Sequence, residues 1–294
     1  MLERQKVQEL IRIQKEHAKL RGKSFVVKKA RRQIYPLNLE RKYLKELLPL
    51  LAALDRIRKQ MMPKLQAVLD KANFLRPTSD SSNTTSCFST QNEDSFSDDL
   101  KLIIDAGLGQ FLAEYSDDVL KVIALKIARS INVFNETQFD KTMVESLGVN
   151  PFASEPWLAQ EMEAFVADNV ALIKTIPSQF FGSIQGIVSD GARSGKNMQD
   201  ISGEIQKRTG VAKSRAKFIA RDQVSKFNGD LNQLRQKNVG INSYIWSTSL
   251  DERVRPSHAA KEGQKFSWDN PPNDTGNPGE DFNCRCVALP VFEN

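Results

Sequence analysis

Apolar residues recur three and four positions apart along most of the first 240 residues, which predicts a protein built mainly from helices. Residues 2–21 carry sparse Leu and Ile among charged residues, whereas residues 39–75 carry a dense apolar stripe. Proline has no backbone N–H to donate, and it interrupts the interior of a helix. We therefore predict that this N-terminal region forms several short helices, separated at Pro36, Pro49 and Pro63.

Residues 99–240 show the same period, with residues that begin or end helices at intervals. Asn197 stands before an apolar run, where its side chain can accept from the first backbone N–H groups of a helix. Gly210 and Gly240 each follow such a run and favour a stop. These signals predict a helical bundle with helices over residues 100–115, 117–135, 156–176, 179–191, 198–209 and 213–237.

The C-terminal residues change to a period of two, which is typical of strands. Residues 244–248 alternate in this way, and residues 266–268 and 286–292 are predicted as two further strands. Residues 269–279 hold three of the twelve Pro and form a loop between them. The predicted fold is mainly α (α+β): a helical N-terminal arm and a helical bundle with a small C-terminal antiparallel β-rich knob.

A polar stretch divides the helical part of the chain. Residues 76–98 are rich in Ser, Thr, Asn and Asp and nearly free of aliphatic residues, so they bury too little apolar surface to become ordered. We predict a flexible linker at this stretch. The expected domains are then a basic helical arm (1–75), the linker (76–98), a helical body (99–240) and a β-rich terminal module (241–294).

Composition narrows the class of protein. No run of the 294 residues approaches the eighteen or so apolar residues that a membrane span needs, and the first residues lack the basic-then-apolar order of a secretory signal. The three Cys, with Cys87 inside the polar stretch, argue against a disulfide framework and for a reducing compartment. We expect a protein made in a cytoplasm that requires no membrane.

Charge is distributed unevenly along the chain. Residues 1–75 contain 19 Lys and Arg against 7 Asp and Glu, whereas the remaining residues contain 23 against 29. Such an arm either contacts double-stranded DNA or an acidic protein surface, or is simply a solvated helix face. The densest basic positions, and so the candidate contacts, are Lys28, Lys29, Arg31 and Arg32.

The candidate chemistry lies in the terminal module. His258, Cys284 and Cys286 supply three of the four ligands of a tetrahedral zinc ion, with Asp251 or Asp281 as a candidate fourth. Alternatively, the two Cys face the same side of a strand as small buried residues, His258 bonds a carboxylate or carbonyl, and Asp251 pairs with Arg253 or Arg255 to lock the turn. A third interpretation makes His258 a general base beside Cys284 and Asp251.

The order of motifs in this region resembles the phage Mu protein F-like family of minor head, or head morphogenesis, proteins of tailed bacteriophages. The resemblance extends over roughly residues 155–292. Similar sequences often carry Cys-x-x-Cys where Arg255 and His258 stand here, and His where Asp281 stands. The residues that carry the resemblance are Arg215, Arg221, Trp246, Asp251, Arg253, Arg255, His258, Asn283, Cys284 and Cys286.

The resemblance implies a structural protein of the virion with no catalytic role, present in the host cytoplasm during assembly. It implies association with the portal protein, and with scaffold or coat protein, in head morphogenesis and in DNA packaging or ejection. Two alternatives remain open. One is a metal-dependent nuclease or toxin-like enzyme that uses the C-terminal His, Cys and Asp residues. The other is a nucleic-acid-binding packaging factor that acts through residues 1–75.

Overall fold

The computed structural model describes residues 6–74, 90–151 and 154–292, and it confirms the predicted fold class. Helices dominate these residues, and a small sheet lies near the C-terminus. The helices are α1 (Lys6–Leu20), α2 (Leu37–Phe74), α3 (Thr90–Glu114), α4 (Asp117–Leu147), α5 (Leu158–Ser194), α6 (Met198–Asn238) and the short α7 (Pro256–Ala259). The strands are β1 (Ser243–Ser247), β2 (Lys265–Ser267) and β3 (Val287–Pro290).

Helix α2 differs from the prediction because it runs through both of its prolines. Pro49 and Pro63 lie inside a single helix of 38 residues, so the expected series of short helices after Pro36 is wrong. Each proline costs one backbone hydrogen bond. Burial of apolar side chains before and after Pro49 offsets this cost. The side chains concerned are almost fully buried: Leu47, Leu50, Leu54 and Ile57.

Helices α5 and α6 are also longer than predicted. Helix α5 passes through Pro177, beside which Ser178 bonds the carbonyl of Lys174 at 3.0 Å instead of capping a new helix. Helix α6 passes through Gly210, so that glycine does not end a helix. The predicted start and stop of α6 are confirmed: Asn197 Oδ1 accepts from the backbone N–H of Asp200 at 2.9 Å, and Gly240 follows the helix at φ 86°.

Only part of the expected linker lies among the described residues. Residues 90–98 belong to α3, whereas residues 76–89, with Cys87, lie outside the described residues. The predicted linker is therefore too long at its C-terminal end. The polar composition of residues 90–98 indicated a loop, but these residues form the first turns of a helix whose apolar positions begin at Leu100.

The chain divides into two compact units that do not follow the predicted domains. Unit 1 comprises residues 1–43, 124–167 and 220–294, and unit 2 comprises residues 44–123 and 168–219. Among the described residues, no helix is both long and apolar enough to cross a membrane. Unit 2 is helical, with an apolar interior that includes Phe111, Phe181 and Ile184.

Residues 6–43 pack into unit 1 instead of forming a separate arm. The backbone N–H of Val7 bonds the carbonyl of Val239 at 3.1 Å. Val7 and Ile11 of α1 share a buried apolar cluster with Phe139, Met143, Leu147, Val239 and Ile241. The basic arm predicted over residues 1–75 is thus divided between the two units, and its first part contributes to the core of unit 1.

The sheet of unit 1 is antiparallel with the order β2-β1-β3. The register pairs Tyr244 with Phe266 on one side and with Pro290 on the other. The alternation predicted for residues 244–248 is therefore that of a central strand. We call residues 241–292 the terminal knob.

Candidate functional site

Buried hydrogen bonds join the terminal knob to helix α6. The side-chain amides of Asn232 and Gln236 both donate to the carbonyl of Ala288, at 2.8 and 3.0 Å. Gln236 also accepts from the indole N–H of Trp268 at 3.2 Å. Because Asn232 and Gln236 are one helical turn apart, they point to the same side of α6. The last strand and the second tryptophan of the knob are thereby positioned on one face of α6.

His258 lies between two thiols and a carboxylate. Its Nδ1 is 3.3 Å from Cys286 Sγ and 3.6 Å from Cys284 Sγ, and its Nε2 is 2.9 Å from Asp281 Oδ2. The ring packs edge-on against Trp246, with 5.5 Å between ring centroids. Helix α7 places His258, and the turn before β3 places Asp281 and Cys284. The structure thus brings His258, Cys284 and Cys286 together.

The two thiols of this cluster differ in their pKa values. Hydrogen bonds from Cys286 and His258 lower the pKa of Cys284 to about 5. Its partnership with Cys284, together with burial, raises the pKa of Cys286. The same contact with Cys284, and then the contact with Asp281, raise the pKa of His258. These shifts favour the thiolate form of Cys284 and the protonated forms of Cys286 and His258.

The ligand atoms of His258, Cys284 and Cys286 fit three positions of a tetrahedral zinc ion, since they lie within 4.8 Å of one another. The carboxylate on Nε2 would fix the tautomer that leaves Nδ1 free to coordinate. A zinc ion would supply a cross-link between α7 and the start of β3. Neither predicted fourth ligand joins this group among the described residues: Asp281 binds the far side of the imidazole, and Asp251 contacts Arg285 at 3.4 Å.

Ion pairs hold the arginines around this cluster. Arg255 contacts Asp281 Oδ2 at 2.6 Å and donates to the carbonyl of Phe282 at 2.8 Å. Glu40 accepts from Arg221 Nε at 3.0 Å and from Arg285 at 3.0 and 3.1 Å. Arg285 also lies over the ring of Tyr35, 5.6 Å from its centroid. Through these ion pairs, Glu40 connects the start of α2 to both α6 and the terminal knob.

A cavity of about 240 Å³ opens beside the cluster. Its walls come from α6, from the turn after β1, from α7 and from the segment that leads into β3. In the described chain, the non-glycine residues with positive φ are Leu250 at 55° and Asn283 at 53°, and both adjoin this cavity or line it. The lining residues are Arg221, Ser249, Asp251, Arg253, Val254, Arg255, His258, Asn283, Cys284, Arg285 and Cys286.

Two of the motif residues, Arg215 and Arg253, lie outside the ion pairs that surround the His258 cluster. Arg215 lies in unit 2, where it contacts Thr175 at 3.4 Å and the ring of Phe218 at 5.5 Å. It does not share the Glu40 contact of Arg221. Arg253 is exposed at the cavity, and its backbone N–H bonds Asp251 at 3.1 Å. Asp251 thus shapes the turn through the backbone of Arg253, and its side chain contacts Arg285. In the described chain it does not form the ion pair with Arg253 or Arg255 that one sequence interpretation expected.

The basic residues near position 30 follow an extended path over unit 1. The backbone N–H of Lys28 bonds the carbonyl of Ser146 at 3.2 Å, Arg31 pairs with Glu145 at 3.3 Å, and Arg32 donates to the carbonyl of Thr248. Lys28, Lys29, Arg31 and Arg32 all remain exposed. One backbone bond and two side-chain contacts thus hold this segment on unit 1, and the four side chains still reach solvent.

Sequence reasoning missed several residues of the site. Glu40 belongs to a helix far from the motifs in sequence, and no local pattern marks it as an arginine partner. Asp222 accepts from the backbone N–H of Asn283 at 3.1 Å, and Ser225 donates to the carbonyl of Cys284. Both lie on the buried face of α6, where polar side chains at helical spacing were a usable signal.

Comparison with known proteins identifies the region around this site. Residues 183–289 match the family described as Phage Mu protein F like protein. A Haemophilus influenzae (strain ATCC 51907 / DSM 11121 / KW20 / Rd) protein, named only as an uncharacterized protein, is 43% identical over 165 residues. That alignment covers 56% of this chain and 35% of the relative, so the chain matches about a third of the relative's length. No solved structure matches the chain. The predicted family resemblance is therefore confirmed for a phage Mu protein F-like region that contains α6, the terminal knob up to residue 289 and the His258 cluster.

Proposed function

We propose that this protein is a minor structural component of the head of a tailed bacteriophage or prophage. In this proposal it associates with the portal protein during head morphogenesis, in contact with scaffold or coat protein, and acts in DNA packaging or ejection. It is present in the host cytoplasm during assembly and in the virion afterwards. The observation that supports the proposal is the family match over residues 183–289.

The site geometry supports a structural role for the matched region. Cys284 and Cys286 belong to a buried cluster with Tyr244, Trp246, Trp268 and Ala288. Arg255 and Asp281 form an ion pair at 2.6 Å beside this cluster. We therefore propose that hydrogen bonds and ion pairs hold the terminal knob closed without catalysing a reaction.

Co-expression with the portal protein of the same phage or prophage tests this function. We expect a stable species that elutes with the portal ring in size exclusion, and a density next to the portal in electron cryomicroscopy of whole particles. Mass spectrometry of purified particles should find the protein in DNA-filled heads. Closed shells formed by this protein alone, or its absence from purified heads, would contradict the proposal.

A second role, contact with DNA, is favoured by the exposed charges near position 30. Residues 6–43 belong to the core of unit 1, so deleting the arm would unfold that unit as well as remove its charges. Paired neutralisation is the cleaner test. We expect Lys28→Gln with Lys29→Gln to lower the salt slope of duplex DNA binding by about 2, as one phosphate contact is lost per lysine.

A matched control comes from helix α6. Lys213 and Lys217 are equally exposed, so Lys213→Gln with Lys217→Gln removes the same charge elsewhere in the chain. We expect that variant to change DNA binding far less. Equal losses of DNA affinity in the two variants would show that net charge alone determines DNA binding. The contact would then not lie near position 30.

A further inference from the structure

The cavity beside His258 has a strongly cationic wall. Four of its eleven lining residues are arginines, Arg221, Arg253, Arg255 and Arg285, and Asp251 supplies the one lining carboxylate. The Cys284 sulfur also reaches this wall, but it faces the Nδ1 of His258 at 3.6 Å, which compensates its charge. The cavity is a recess, since its lining includes the buried residues His258, Cys284 and Cys286.

The arginines keep donors that the folded chain does not use. Arg221 reaches Glu40 through Nε, and its terminal nitrogens have no partner among the described residues. The side chain of Arg253 likewise has no hydrogen-bond partner in the described chain. Arg285 Nε is buried with no partner. A buried donor left unsatisfied costs stability, so such a group indicates either strain or a missing ligand.

Three of the four arginines are held in position before any ligand arrives. Glu40 fixes Arg221 and Arg285 side by side, and Asp281 fixes Arg255 from outside the cavity. Guanidinium groups that are already oriented lose little conformational entropy when they bind an anion. The left-handed backbone at Leu250 and Asn283 adds strain at the same rim, where strained residues often accompany binding sites.

We propose that this cavity binds a phosphate group, either of free phosphate or of a nucleic-acid strand end. Phosphate presents oxygens in several directions and accepts from several guanidinium groups, whereas one arginine fork satisfies a carboxylate. A recess favours a terminal group over the continuous backbone of a duplex. This inference rests on the arginine geometry and is independent of the proposed portal association.

Titration of the full-length protein tests the proposal. Inorganic phosphate is titrated by calorimetry, and 5′-phosphorylated and unphosphorylated duplex oligonucleotides then compete for the same site. The decisive variant is Arg253→Gln, because the Arg253 side chain has no hydrogen bond or ion pair in the described chain to lose. Arg221→Gln is the second variant. The matched control is Arg193→Gln, which removes an exposed arginine of unit 2.

We expect saturable phosphate binding that each cavity variant weakens about tenfold and that Arg193→Gln leaves unchanged. Competition by the 5′-phosphorylated duplex alone identifies a strand end as the source, and its failure identifies free phosphate; either result supports the proposal. An absence of saturable binding, an unchanged affinity in Arg253→Gln, or acetate that competes as well as phosphate would overturn it. Portal association of Arg253→Gln, measured separately, distinguishes failure of this site from failure of the proposed function.

Discussion

The interiors of the two units are built differently, although the same helices contribute to both. Unit 2 buries mainly apolar side chains, and within the described chain its buried polar residues are Arg58 and Asn169. Unit 1 buries many polar groups from α4, α6, the terminal knob and the segment before α2. Those groups are Gln33, Asn135, Thr142, Ser146, Asp222, Ser225, Asn228, Asn232, Arg235, Gln236, Ser247, Thr248, His258, Lys261, Thr275 and Asn277.

This difference means that the buried side chains of unit 1 require particular partners, whereas most of those of unit 2 do not. An apolar interior tolerates substitutions that conserve volume, because burial is not directional. A buried polar group needs a defined partner, and its loss leaves another group unsatisfied. We therefore expect unit 1 to be sensitive to single substitutions that unit 2 accepts. The family match includes all the α6 residues and all the knob residues of this polar interior.

The largest effect is expected at Arg235. Its guanidinium is almost completely buried and binds Glu155 at 2.7 and 3.0 Å and Asn132 and Asn135 at 2.6 Å each. Arg235→Met leaves these groups without their cation, so the free energy of unfolding of unit 1 should fall by about 3–5 kcal/mol. Urea unfolding followed by tryptophan fluorescence measures this loss, because Trp157, Trp246 and Trp268 all lie in unit 1.

Arg58→Met is the matched variant of unit 2. Arg58 is nearly as buried, but its partner Asp55 lies on the same helix and keeps a second ion pair to Lys59 at 2.9 Å. We expect a loss of about 1 kcal/mol, measured by helical circular dichroism. Equal losses in the two variants would mean that the polar interior of unit 1 is not the more demanding one.

Two glycines sharpen the comparison at the level of backbone packing. A Cβ at Gly229 of α6 would lie 2.6 Å from the carbonyl oxygen of Pro278, whereas one at Gly107 of α3 would lie 2.6 Å from the sulfur of Met61. A backbone wall cannot move aside, but a methionine side chain can change rotamer. Gly229→Ala should therefore cost about 1–3 kcal/mol. Gly107→Ala should stay within about 1 kcal/mol of the wild type, since alanine favours helix. Thermal unfolding of both variants measures the two losses of stability. A larger loss for Gly107→Ala than for Gly229→Ala would contradict this account.

The sequence predicted the helical class and the strands of the knob because both follow from local periodicity. It failed at Pro49, Pro63, Pro177 and Gly210, where local propensity opposes a helix that tertiary burial maintains. The linker prediction extended into α3 for a related reason, since polar composition does not exclude the first turns of a helix. Local signals thus identify elements better than they identify their ends.

The candidate site was predictable only in part. Clustering of His258, Cys284 and Cys286 near one turn-rich segment indicated their proximity. The role of Asp281 as a partner of His258 Nε2 and Arg255 required the three-dimensional fold. Glu40 is 181 residues from Arg221 and 245 from Arg285, so no sequence spacing connects them. The packing of helices that are distant in sequence determines such polar networks. A single sequence does not reveal that packing.

The charge of the cluster should make unit 1 sensitive to pH. Because the folded state lowers the pKa of Cys284 to about 5, its thiolate stabilises the fold fully above the usual thiol pKa, about 8.5, and loses this effect as pH falls to 5. The raised pKa of His258 acts in the opposite sense, stabilising below about 6.5 and fading as pH rises through the raised value. Cys284→Ser should remove the first dependence.

The difference in unfolding temperature between the wild type and Cys284→Ser should therefore grow from pH 5 to pH 8. The corresponding difference in the free energy of unfolding changes by at most about 1.4 kcal/mol per pH unit for one proton. Cys286→Ser is the control, since a hydroxyl still donates to Cys284 and the pKa of Cys286 is raised, which keeps it protonated. Parallel curves for the wild type and Cys284→Ser would show that no thiolate contributes to stability.

The smallest expected effect, and the one that separates ion pairing from metal binding, is at Asp281. Its carboxylate contacts Arg255 at 2.6 Å and His258 Nε2 at 2.9 Å, and the side chain keeps 28% of its exposure. Asp281→Asn retains the shape of the side chain and loses its charge. Because the site is partly solvated, the free energy of unfolding of unit 1 should fall by about 1 kcal/mol.

Elemental analysis of the wild type should give well under one zinc per chain, and chelation should leave the unfolding transition in place. One zinc per chain, released by Cys284→Ala with a large loss of stability, would instead show that metal binding contributes to folding. In that case Asp281 would serve chiefly to orient His258 towards the ion, and the ion pair with Arg255 would be secondary.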